Sequence, residues 1–92
     1  MTKAQAQKIA KALADPMRFE IFRRIAASSD EMACSLLKSK LPITAATLSH
    51  HMKELANAGL INCRQQGKYA YITADRGAWE AYLRSLKNVF QK

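Results

Sequence analysis

The chain has 92 residues, with 15 lysines and arginines against 7 aspartates and glutamates, a formal net charge of +8. At 49% hydrophobic it is too apolar for a disordered polyelectrolyte, and its length suits one domain, residues 1–92, without a second. The longest stretch free of charged side chains, residues 41–52, is too short and polar to span a bilayer, and the N-terminus lacks a signal-peptide core, so a cytoplasmic chain is expected.

The first predicted helix covers residues 2–14, with Ala6, Ile9, Ala10 and Leu13 at helical spacing. Asp15-Pro16 starts a second, because aspartate caps free amides and proline is tolerated at the first helical position. Met17, Ile21 and Ile25 carry that helix to about residue 27. Ser28-Ser29-Asp30 then caps a third helix over residues 31–40, with Cys34, Leu37 and Leu41 facing inward. Leu41-Pro42-Ile43 is a turn, since proline pushes the residue before it out of helical geometry. Thr44 caps a fourth helix from Ala45 to about Ala58, ended by Gly59. Leu48, Met52 and Leu55 share its inner stripe with His51 at the edge, while Ala46, His50, Lys53 and Asn57 point away. Two β-rich runs, residues 60–65 and 68–73, flank Gln66-Gly67 and predict a hairpin. Asp75 opens a last helix, 76–90, on which Trp79, Tyr82, Leu83, Leu86 and Phe90 form an apolar stripe.

The predicted fold is mainly α with a β-hairpin, in the order α-α-α-α-β-β-α. Two helices joined by a short turn, the second polar outside and followed by a basic hairpin, make a winged helix-turn-helix. Such a second helix fits the major groove of B-DNA, and the hairpin lies along the backbone. Half of the excess charge falls in residues 32–74, where Lys38, Lys40, Lys53, Arg64 and Lys68 face one acid, Glu54. The winged arrangement brings those five cations to one surface, which makes double-stranded DNA the expected partner. The stripe on the last helix exceeds what so small a protomer can cover, which predicts a homodimer.

Three segments resemble the ArsR/SmtB family of winged-helix repressors. They run from Ala12 to Phe22, containing Leu13-Ala14-Asp15-Pro16-Met17-Arg18, then from Thr47 to Ile61, containing Leu48-Ser49-His50-His51-Met52-Lys53-Glu54-Leu55 and Ala58-Gly59-Leu60-Ile61, then from Arg64 to Tyr71, containing Arg64-Gln65-Gln66-Gly67-Lys68-Tyr69. The resemblance spans residues 12–86 and implies a dimeric repressor on an imperfect palindrome, joined through its first and last helices. The interface would draw on Ile9, Leu13, Trp79, Tyr82, Leu83, Leu86 and Phe90. On the reading helix, Thr44 caps and meets a phosphate, Thr47 and Ser49 bond phosphate or base, and His50 points outward. Ala45 and Ala46 allow close approach and touch thymine methyl groups. Lys53, Arg64, Gln65, Lys68 and Tyr69 are expected to hold the backbone.

The family's metal ligands do not carry over. The positions of its Cys-Val-Cys site fall on Ala33, Cys34 and Ser35, and residues 76–92 hold no histidine for its second site. His50 and Glu54 stand one turn apart without a third ligand, so no metal or other cofactor is expected, and the inducer is unknown. His51 matches the family's structural histidine. Cys34 and Cys63 do not make a disulfide framework, and catalytic motifs are missing, so the chain is not an enzyme. Two alternatives stand beside the DNA-binding repressor: a winged-helix module that binds protein, and a repressor gated by oxidation of Cys34 or Cys63.

Overall fold

In the computed structural model, which describes residues 1–90, α1 (Lys3–Leu13) and α2 (Pro16–Ala27) lead to a short strand, β1 (Met32–Ala33). Helices α3 (Cys34–Ser39) and α4 (Ala45–Asn57) follow, then strands β2 (Ile61–Gln66) and β3 (Tyr69–Ala74). Helix α5 (Arg76–Lys87) runs into one 3₁₀ turn, Asn88–Phe90. The order is therefore α-α-β-α-α-β-β-α, and the third helix is shorter than its spacing predicted. Met32 and Ala33 pair with Ile72 and Tyr71 of β3 instead of opening that helix. Backbone hydrogen bonds to a waiting strand edge outweigh the weak start signal of Ser28-Ser29-Asp30.

The helix starts follow the capping chemistry. Thr2 Oγ1 accepts from the Gln5 amide at 3.1 Å while Gln5 Oε1 accepts from the Thr2 amide at 2.8 Å, a reciprocal box. Asp15 accepts from the Arg18 amide at 2.9 Å, with Pro16 at the first helical position. Asp75 does the same for Ala78 at 3.0 Å. Gly59 ends α4 with φ +81°, and Gly67 opens the hairpin loop with φ +61° while Lys68 stays at negative φ, the pattern of a type II′ turn.

Strand β3 is central in an antiparallel sheet ordered β1-β3-β2. Its Ile72 is fully buried and joins Ile9, Ile21, Ile25, Leu37, Leu55 and Leu60 in one core. These residues come from α1, α2, α3, α4, the α4–β2 turn and β3, so each element is fixed by a residue the others enclose. Truncating one of them to alanine costs about 2–5 kcal/mol. No helix among the described residues is long and apolar enough to cross a membrane.

Candidate nucleic-acid interface

The turn Leu41-Pro42-Ile43 sets α4 on α3, with Leu41 buried beneath it. Helix α4 buries Leu48, His51 and Leu55 and leaves Ala45, Ala46, Thr47, Ser49, His50 and Lys53 exposed along one side. Thr44 Oγ1 accepts from the Thr47 amide at 3.1 Å and lies 3.0 Å from the Thr47 hydroxyl, so both threonines belong to the cap. Thr44 thus spends one lone pair inside the protein and keeps its exposed side for solvent or a phosphate.

His51 is 7% exposed and its Nδ1 accepts from Arg18 Nε at 3.2 Å. Arg18 Nη1 also donates to the Ala12 carbonyl at 3.3 Å. One arginine of α2 thereby locks the C-terminal end of α1 to the back of the reading helix. Sequence spacing placed His51 at the edge of the stripe, and its partner came only from the fold.

The wing presents Gln65, Lys68 and Tyr69 on exposed backbone, with the Lys68 ammonium 5.7 Å from the centre of the Tyr69 ring. Arg64 differs from the cation the sequence anticipated. Its Nε and Nη2 donate to the two carboxylate oxygens of Glu31 at 2.8 and 2.7 Å, and its Nη1 donates to Gln66 Oε1 at 2.7 Å. The guanidinium also lies 4.8 Å from the centre of the Tyr71 ring. The cause is register: Arg64 lies opposite Tyr71, Tyr71 opposite Ala33, and Glu31 is two residues before Ala33 on the same face. The central cations therefore do meet a second acid. The Arg64 hydrogen bonds hold the Glu31 carboxyl below the usual glutamate range. The short strand that brings Glu31 there carries no β-branched residue and left no signal.

The apolar residues expected at a dimer interface divide in two. Ile9 and Tyr82 are 1% and 8% exposed, so they belong to the protomer's own core and have almost no surface to offer a partner. Trp79 and Leu13 pack partly against that core. Leu83, Leu86 and Val89 are exposed, and Phe90 is 95% exposed.

Cys34 packs at the core margin and Cys63 is exposed on the edge strand. Burial, reinforced by the Cys63 charge, raises the Cys34 pKa, and the protein crowding the Cys63 sulfur raises that one as well. Both shifts disfavour the thiolate form. Among the described residues, no group of three or more histidine, cysteine, aspartate and glutamate side chains is placed to hold a metal ion.

A helix-turn-helix domain family matches residues 13–64, which runs from the end of α1 to the first wing strand. The uncharacterized HTH-type transcriptional regulator YceK of Bacillus subtilis is 33% identical over 76 residues, covering 83% of this chain and 76% of its own. An ArsR-like transcriptional regulator from Rhodococcus sp. RHA1 superposes with a TM-score of 0.83 at 22% identity, over 94% of this chain and 79% of that one. A homodimeric winged helix-turn-helix domain from Mycobacterium bovis, a possible ArsR-family regulator, gives 0.74 at 20% identity, over 97% and 83%. These relatives are regulators, not enzymes. The chain belongs to the helix-turn-helix transcriptional regulators, and its winged fold is of the ArsR type.

Proposed function

We propose that the protein works as one DNA-binding unit, a homodimeric repressor that occupies an imperfect palindrome. The observation that carries this is the exposed side of α4, where Ala45, Ala46, Ser49, His50 and Lys53 stand clear of the core beside a basic wing. Small residues at the front let the helix backbone approach the groove floor, where alanine methyls meet thymine methyls. Ser49 and His50 supply the hydrogen bonds to base edges, and Thr44, Thr47, Lys53, Gln65, Lys68 and Tyr69 hold phosphates.

The exposed Leu83 and Leu86 of α5, with Val89 and Phe90 in the turn after it, support dimerisation at that end of the chain, to which half-buried Leu13 is the first helix's expected contribution. The Mycobacterium bovis domain of the same fold is homodimeric, which supports a dimer here as well. A two-fold axis through α5 would present two reading helices to two half-sites, which is why a palindrome is the matching operator. A thiol-gated mechanism is less favoured, since both sulfurs are pushed away from the thiolate form.

Selection of bound duplexes from a random pool tests this directly. Enrichment of a motif with two-fold symmetry is the expected result. A pool that stays random, at low salt and with intact protein, removes sequence-specific DNA binding.

A further inference from the structure

A cleft of about 660 Å³ lies between α2, the α2–β1 turn, the end of β3 and the start of α5. Its size lies within the roughly 300–1,000 Å³ of small-molecule sites. Phe19, Phe22 and Trp79 line it, with the Phe22 and Trp79 rings 5.4 Å apart and tilted by 44°. Neither α4 nor the wing tip contributes to its walls, so an occupant would not collide with DNA held by those elements.

The charge of the walls selects the occupant. Asp30, Glu31 and Asp75 line the cleft, three of the seven carboxylates in a chain that is otherwise strongly basic. Two arginines also line it. Arg23 is held by Glu20 through contacts of 2.8 and 3.0 Å, while Arg76 stands exposed on the first turn of α5. Aromatic faces beside carboxylates suit a positive charge carried on an apolar body, because ring quadrupole and carboxylate attract it together.

We propose that this cleft is an effector site for an organic cation with an apolar body, and that its occupant acts on the wing through Glu31. Glu31 lines the cleft and also holds Arg64 of β2. A cation bound among the aromatic rings competes with the Arg64 guanidinium for that carboxylate. Arg64 is then released, and the wing loses its tie to the body of the protein. Ligand and DNA therefore oppose each other without sharing a surface, which is a coupling between two sites. The site stands independently of what the protein binds; the coupling rests on the DNA-binding function proposed above.

Trp79 is the chain's one tryptophan and lines the cleft, so its emission reports occupancy in the intact protein. Tetraphenylphosphonium is the probe, and triphenylacetate is a control of similar apolar bulk and opposite charge. Saturable quenching by the cation and none by the anion is expected. Asp30→Asn should weaken the cation about threefold, and Phe19→Ala about fivefold; both positions are exposed. Saturable quenching by the anion with equal or tighter affinity, or no saturable quenching by the cation, overturns the site. The second arm measures affinity for a mixed-sequence duplex at fixed ionic strength. Saturating tetraphenylphosphonium should weaken it about fivefold or more, and Phe19→Ala should move that effect to higher probe concentration. A saturable site with unchanged duplex affinity overturns the effector role. Failure of the protein to bind any duplex counts against the DNA-binding function instead, and the quenching arm still decides the site.

Discussion

Arg64 on the wing and Glu31 on the α2–β1 turn form a two-point ion pair, 2.8 and 2.7 Å, across 33 residues of sequence. The pair is exposed, so its worth in net stability is modest, yet its geometry is specific. It ties β2 of the wing to the turn between α2 and β1. The guanidinium that the sequence assigned to a phosphate is already engaged within the protein.

This separates two basic residues of the wing that look alike in sequence. Among the described residues Lys68 at the tip pairs with no acid, so Lys68→Ala should flatten the slope of log affinity against log salt by about one unit. Arg64→Ala should weaken binding by loosening the wing while changing the slope by less than half as much. Binding measured from low to moderate salt for both variants checks this, and equal slope changes would restore Arg64 to the phosphate contacts.

The ion pair also has a pH signature. The Glu31 pKa is lowered from 4.5, chiefly by the Arg64 hydrogen bonds. A depressed folded-state pKa means that the stabilisation is complete above the ordinary carboxylate value and is lost as pH falls through the depressed one. The wing tie should therefore be unchanged from neutral pH down to about 5 and fade below that. Carboxyl NMR titration of Glu31 should show an inflection under 4.5 that moves back up in Arg64→Ala.

His51 fills a buried position and accepts from Arg18, so His51→Ala removes packing and leaves the Arg18 Nε without its partner. A loss of about 2–3 kcal/mol in unfolding free energy is expected. Thr44→Ala removes a cap alone and should cost about 1 kcal/mol. Denaturant titrations of the two variants rank them, and a larger loss for Thr44 would contradict the inferred role of the Arg18–His51 bond.

Leu86 of α5 and Phe90 in the turn after it are exposed, whereas Ile9 of α1 and Tyr82 of α5 are buried. Leu86→Glu should shift sedimentation from dimer to monomer with the helical content retained. It should also reduce operator affinity steeply, because each half-site is then bound separately. A variant that stays dimeric places the interface elsewhere.

Capping residues and apolar spacing made most of this protein legible in one dimension. Asp15-Pro16, Thr44, Gly59 and the hairpin's Gly67 act on their own neighbours, so their effects can be read without knowing what packs where. The exposed side of α4 was legible for the same reason, since helical period alone separates Ala46, His50 and Lys53 from Leu48 and Leu55. Strand β1 was not, because Met32 and Ala33 become a strand only when the edge of β3 supplies their hydrogen bonds. That pairing in turn placed Glu31 against Arg64, and enclosure placed Ile9 and Tyr82 in the core while leaving Phe90 outside. The sequence by itself determined the helix-turn-helix and its wing, whose signals are local. Only the tertiary structure decided that Arg64 is tied down within the protein, which apolar residues stay exposed, and where a cleft lies, because each depends on groups far apart in the chain meeting in space.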